Sequence, residues 1–286
     1  MAGWSNQDIA AKLLELADLL EQQDANPFRV TAYRRAARTV AVHGESLAEI
    51  RQRAGIDGLE DLPSIGHSIA LAIDEMLRSG RWVQLERLRG ALDPEQVFQS
   101  IPGVGPRMAR RIHDRLHLDT LEALEIAAHD GRLEQVPGVG PRRARMITAA
   151  LSQMLRRRPG RQGRAAAEPP VGILLDVDRE YREKAAAGAL RKIAPRRFNP
   201  DGEAWLPILH AQRDDWNFTA LFSNTARAHE LGRTGDWVVL YFHSDDGPEG
   251  QRTVVTETSG PLKGRRVVRG REGDCAGHYR EPAATA

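Results

Sequence analysis

Cysteine occurs once, as Cys275, so no internal disulfide framework can form and the chain suits a reducing cytoplasm. Lysine is nearly missing. Lys12, Lys184, Lys192 and Lys263 are the only ones, leaving 37 of the 41 basic residues as arginine, and Lys12 alone serves the first half. Chemistry that needs a nucleophilic amine therefore has almost nothing to use there. No apolar run approaches the roughly 20 residues that span a bilayer, which argues against a membrane partner. The start, "MAGWSNQDIAAKLLEL", reads as an amphipathic helix rather than a signal peptide.

What is present is a chain of 286 residues, 41% hydrophobic and 28% charged, with room for two domains with cores of their own. The net charge of +2 permits nucleic-acid binding without requiring it. The arginine excess has two explanations. One is codon bias; the other is phosphate recognition, for which arginine offers a planar fork of donors that never deprotonates.

The texture divides the chain. Residues 1–155 read as almost pure helix, with Ile9, Leu13, Leu16 and Leu20 on one face of the first. Ser5 with Asp8 forms a capping pair, and Asn26-Pro27 starts a second helix. The stretch "RRRPGRQGRAAAEPP" at 156–170 reads as a linker. Beyond it, "EAWLPILHA", "WNFTALF", "DWVVLYFHS", "RTVVTET" and "RRVVRG" look like strands, and "SNTARAHELG" like a helix closed by Gly232. The expected fold is an all-α N-terminal half followed by a small α+β domain. Its boundaries are 1–90, 91–155, a linker 156–170, and 171–286.

The helical half repeats itself. "IPGVGPRMARRI" at 101–112 returns as "VPGVGPRRARMI" at 136–147, and a weaker copy, "LPSIGHSIALAI", stands at 62–73. Aligned on Pro63, Pro102 and Pro137, the apolar positions coincide, as do Gly66, Gly105 and Gly140. Each copy is a helix, a tight turn and a second helix. The turn glycines, including Gly103 and Gly138, let the backbone come close to an anion at the start of that second helix. Arg107 and Arg142 stand just beyond two of the turns. A plain αα-hairpin would need its glycine only for the turn; three copies in register favour a phosphate grip. These turns resemble the helix-hairpin-helix motif, which implies sequence-independent, salt-sensitive binding of a DNA backbone.

The order of these parts goes further. "NPFRVTAYRRAARTV", then "LPSIGHSIALAIDEMLRSG", then two more hairpins resemble the N-terminal lyase-like and helix-hairpin-helix domains of family X DNA polymerases, over roughly residues 5–155. The resemblance implies that Arg29 and Tyr33, with the adjoining Arg34, face the 5′-phosphate of a DNA gap. It also implies a monovalent cation, Na+ or K+, on turn carbonyls at Ile101 and Val104 and at Val136 and Val139. Where lyase-competent members carry lysines, this chain has Ser68 and Ala72. Asp176 and Asp178 have the spacing of metal-binding carboxylates, but no Gly-Ser turn precedes them, and they read as capping residues at a helix start. Neither the lyase nucleophile nor the polymerase palm is expected.

In the last third, His210, His229, His243 and the Cys275–His278 pair invite a metal reading, yet no second close pair completes a tetrad, and structural roles are expected. Asp236, His243 and Glu257 could form a hydrolytic site, though spacing alone does not support one. Part of this region resembles a segment that follows such hairpin domains in bacterial proteins. The leading expectation is a cytoplasmic, nucleoid-associated DNA-binding protein at gaps, nicks or junctions, acting in repair or recombination. Repair proteins would meet its C-terminal domain. The alternatives are a nuclease or lyase active in the C-terminal domain, and a scaffold whose hairpins hold protein.

Overall fold

The computed structural model describes residues 4–91, 93–154, 168–244, 247 and 249–280; positions 156–167 of the expected linker lie outside the described residues. Helices α1 (Asn6–Gln22), α2 (Pro27–Val42), α3 (Leu47–Glu60), α4 (His67–Ser79) and α5 (Val83–Leu88) come first. Next are α6 (Pro94–Gln99), α7 (Pro106–Leu116), α8 (Leu121–His129), a 3-10 turn at Arg132–Gln135 and α9 (Pro141–Met154). Helix α10 (Val171–Ala186) leads into β1 (Arg191–Ile193), β2 (Leu206–Arg213) and β3 (Trp216–Phe222). Then follow α11 (Ala226–Glu230), β4 (Val238–His243), β5 (Gly250–Thr256), β6 (Arg266–Val268) and α12 (Glu272–His278). The six strands form one sheet in sequence order, and β1–β2, β4–β5 and β5–β6 pair antiparallel. The fold is therefore helical in its N-terminal half and α+β in its C-terminal half.

By contact, the chain gathers into two compact units. One comprises Met1–Leu92, Leu190–Phe218 and His243–Pro248; the other comprises Asp93–Ala189, Thr219–Phe242 and Glu249–Ala286. This division departs from the sequence-read boundaries at 90, 155 and 170, because strand pairing and packing join segments far apart in the chain.

In the first unit the amphipathic stripe of α1 works as its spacing predicts. Ile9, Leu13, Leu16 and Leu20 are fully buried, and α2 answers with Tyr33, Ala36, Ala37 and Val40. Each side chain of that size contributes about 1.5–3 kcal/mol by leaving water. Ser5 and Asp8 close a capping box, and Asn26 caps α2 ahead of Pro27.

The second unit packs the tandem hairpins on part of the sheet. Six successive positions of β5 are buried, so both faces of that strand are covered, and α8 and α10 both pack on it. Asp119, after α7, is the joint. Its amide donates to Gln251 Oε1 at 2.8 Å, its carboxylate pairs with His113 Nε2 at 2.9 Å and accepts from the Tyr241 hydroxyl, and Gln251 Nε2 donates to the carbonyl of His117. His117 ends α7 in the left-handed region (φ 54°) and lies edge-on to Trp237. Burial, then the neighbouring His113, pushes its pKa down to about 4.

One expectation is corrected here. Asp176 and Asp178 are not caps at a helix start: α10 begins at Val171 after Pro170, and both lie inside it. Asp178 is fully buried and receives Arg266 through Nη2 at 2.6 Å and Nε at 3.0 Å, with Arg182 on the same carboxylate. Arg266 also donates to Asp236 at 2.6 Å, to Thr256 and to the carbonyl of Val254. A buried carboxylate survives only when paired and hydrogen-bonded in this way.

Two outcomes are expected. Arg266→Ala strands the buried Asp178 and lowers unfolding free energy by about 3–5 kcal/mol, read by urea denaturation, while joint Asp178→Leu and Arg266→Met replacement restores most of it. His117 holds a pKa below its ordinary 6.5, so the unfolded chain binds the extra proton, and stability falls as pH drops from 6.5 towards 4. His117→Asn keeps a residue tolerant of the left-handed cap but cannot titrate. Its stability should fall less over that range, by up to about 3 kcal/mol.

Candidate nucleic-acid interface

Each hairpin turn is built the same way. The amides of Ile65, Val104 and Val139 donate to the carbonyls of Leu62, Ile101 and Val136 at 3.1, 3.0 and 2.9 Å. These are four-residue turns with proline second, and the third residue has positive φ: 65° at Ser64, 83° at Gly103 and 86° at Gly138. That is type II geometry, in which glycine avoids the clash a side chain meets, so Gly103 and Gly138 are conformational glycines and Ser64 is strained.

The next glycine in each turn behaves differently. Gly66 and Gly105 are N-caps in ordinary extended backbone, at φ −82°, ψ 173° and φ −85°, ψ 174°. A Cβ added at Gly66, Gly105 or Gly140 would meet nothing within 4 Å. Neither backbone nor packing demands glycine there. Six helices are capped by side chains, since Ser5, Asn26, Ser46, Asp93, Thr120 and Thr225 each accept a first-turn amide, whereas α5, α10 and α12 start without such a cap. Helices α4 and α7 begin on a bare glycine with no side-chain cap. The amides of Ile69 and Met108 donate to the cap carbonyls of Gly66 and Gly105, and the earlier amides of each turn, with the positive end of the helix dipole, are groups of the kind that can hold an anion. Arg107 in the first turn of α7 and Arg142 in that of α9 are exposed, with no carboxylate partner among the described residues. The carbonyls of Ile101 and Val136 each accept one turn hydrogen bond and keep a second lone pair.

The tandem hairpins also interlock. Met146 of α9 reaches Gly103 and Arg111 of α7 reaches Gly138, and these two side chains occupy the same place in their repeats. The two grips thus mirror each other about a local pseudo-dyad.

Within the first unit the starts of α2 and α4 border one cleft of about 300 Å³, whose lining includes Asn26, Phe28, Arg29, Tyr33, Ser68 and His243. Nε and Nη2 of Arg29 are buried without a hydrogen-bond partner. Burial, then Arg29 and Arg87, push His210 down to about 3 and His243 well below its ordinary value, so both imidazoles are neutral beside two guanidinium groups. His210 Nε2 lies 3.0 Å from Gln23 Oε1. The Tyr33 hydroxyl sits 3.3 Å from Gln84 Oε1. Arg34 faces elsewhere, held by Asp18 at 3.0 Å and Glu21 at 2.7 Å on α1. Ser68 lines the cleft, and Ala72 is buried.

The remaining candidates are occupied. Asp236 serves Arg266 and Thr256, and Glu257 accepts from Arg269 at 2.7 Å. Cys275 is buried and accepts from the amide of Val268. Among the described residues no three His, Cys, Asp or Glu side chains converge as metal ligands, and no helix is long and apolar enough to cross a membrane.

Comparison with known proteins bears on the same elements. Residues 4–82 match the family described as a helix-hairpin-helix domain, and residues 95–153 match the SAM-like helix-hairpin-helix tandem. The DNA polymerase/3′-5′ exonuclease PolX of Bacillus subtilis (strain 168) is 27% identical over 179 residues, covering 62% of this chain and 29% of that protein. The chain thus spans less than a third of that relative's length. Its N-terminal part resembles the N-terminal domains of family X polymerases, and helix-hairpin-helix domains imply DNA binding.

A serine at the N-cap separates the functional glycine from the structural one. Gly105→Ser with Gly140→Ser supplies the missing caps, leaving thermal stability unchanged or raised by a few tenths of a kcal/mol. The same change should weaken DNA binding about tenfold by anisotropy, because the amides are taken and the approach is blocked. Ser64→Gly should stabilise the protein by about 1 kcal/mol through relief at positive φ.

Proposed function

We propose that this chain is a sequence-independent DNA-binding protein that recognises phosphorylated 5′ ends at gaps, nicks or junctions during DNA repair. The observation that carries this reading is Arg29, whose buried Nε and Nη2 lack partners in a cleft bordered by two helix starts. The unsatisfied guanidinium donors, the start of α4 and the neutral His243 imidazole together suit a dianionic phosphate. The glycine-started helices α4 and α7 add backbone grips that carry no base information. A monovalent cation on the carbonyls of Ile101 and Val104, or of Val136 and Val139, would strengthen those grips by placing a positive charge near the phosphate.

The chemistry of a lyase finds little support. The position matching the family's Schiff-base lysine is the buried Ala72, and Ser68 stands in the cleft where a second lysine would be. The spacing that resembled a metal-binding carboxylate pair belongs to Asp178, neutralised by Arg266. In DNA repair such a grip would hold the end for other proteins that meet the C-terminal region.

The test is fluorescence anisotropy of the full chain on intact duplex, single strand, and one-nucleotide gaps with and without the 5′-phosphate, over a range of salt. The phosphorylated gap should bind at least about tenfold tighter than the unphosphorylated one, a preference that Arg29→Ala removes while duplex affinity persists. Equal affinity for all four DNAs at every salt concentration would overturn end recognition.

A further inference from the structure

The cleft at Arg29 is larger and chemically more mixed than a phosphate needs. Its volume of about 300 Å³ is roughly ten water volumes, at the lower bound of sites that enclose whole small molecules, whereas phosphate has five heavy atoms. One wall is not helical. Gln212, Asp215 and Asn217, from the hairpin joining β2 and β3, line the cleft opposite the helix starts. Asn26 ties this wall in place: its Oδ1 accepts from the amide of Phe28 at 2.9 Å, and its Nδ2 donates to Gln212 Oε1 at 2.6 Å. The Asp215 carboxylate would repel a bare phosphate sharing the cleft. It suits a ligand that carries an anion at one end and N–H or O–H donors at the other. At the edge stands Phe28, 83% exposed, an aromatic face free to stack.

We infer that the cleft holds the whole 5′-terminal nucleotide of a DNA end, with Gln212, Asp215 and Asn217 hydrogen-bonding its sugar and base while the phosphate rests on Arg29. This rests on the end-recognition reading above and extends it from a phosphate to a nucleotide. Asn217 offers both a donor and an acceptor, and Gln212, bonded to Asn26 and to the Asp214 carbonyl, keeps a second N–H and a second lone pair, so the wall accommodates any of the four bases and recognition stays independent of sequence. What it rejects is an end that lacks a base.

The experiment compares three one-nucleotide gaps on the full chain: a normal 5′-phosphorylated nucleotide, a 5′-phosphorylated tetrahydrofuran residue lacking its base, and a normal nucleotide with a 5′-hydroxyl. The normal phosphorylated end should bind about tenfold tighter than the baseless one. Asp215→Ala with Asn217→Ala should erase that difference and leave the phosphate preference intact. Melting curves check that the variant is folded; should it not fold, the three wild-type affinities still decide. Equal binding of the normal and baseless phosphorylated ends, with the hydroxyl end weaker, overturns the nucleotide pocket and leaves end recognition standing. Equal binding of all three overturns both.

Discussion

The first-turn amides of a helix must find acceptors, and at several helix starts of this protein, those of α4 and α7 among them, no side chain supplies one. At six starts a Ser, Asn, Asp or Thr oxygen closes the helix, as at Ser5, Asn26 and Asp93, while α5, α10 and α12 begin without one. At Gly66 and Gly105 there is no such oxygen, although space for a side chain exists. The other features of the hairpins follow from that choice. Proline in the turn presets its φ, positive φ at the following residue aims the backbone back, and buried Ala109 and Ile112, or Ala144 and Ile147, hold each second helix close to its first. Pro106 and Pro141 occupy first helical positions, where a missing N–H costs nothing.

A phosphate grip of the kind proposed needs rigidity, because a donor displaced by an ångström forfeits most of its hydrogen bond. The tandem hairpins obtain it from the sheet in their own unit. Asp119 gathers His113, Tyr241 and Gln251 at the end of α7, and β5 is covered on both faces. Breaking a polar network of this kind leaves buried groups unpaired, which disfavours alternative arrangements, although Nδ1 of His113 and of His117 are themselves buried without a hydrogen-bond partner. The buried Asp178–Arg266 pair acts in the same way at α10. In the first unit a different device operates, since the hairpin of β2 and β3 supplies one wall of the cleft whose other walls are helix starts.

The local parts of this architecture were legible because short-range physics governs them. The capping box at Ser5, the restart at Asn26-Pro27, the three Pro-x-x-Gly turns and the close of α11 by Gly232 each depend on neighbours within about four residues. The strands were readable from β-branched and aromatic runs, the three-residue β6 included, except β1, whose Arg191-Lys192-Ile193 has one β-branched residue and no such run. Residues whose roles depend on distant partners were misread or missed. Asp178 looked like a cap until Arg266, 88 positions away, was seen to pair with it. Arg34, a candidate DNA contact, also pairs with Asp18 and Glu21 on another helix.

By itself, then, the sequence determined the helices, the repeated turn and the bare glycine at its end, all of which follow from backbone sterics and hydrogen bonds within one turn of chain. Only the tertiary structure decided which charges are spent on the fold and which are left over. Arg266 and Arg34 are held by carboxylates, while Arg29 keeps buried donors unpartnered beside Gln212, Asn217 and His243. Long-range pairing of this kind depends on where separate segments meet in space, and no pattern of neighbours along the chain encodes it.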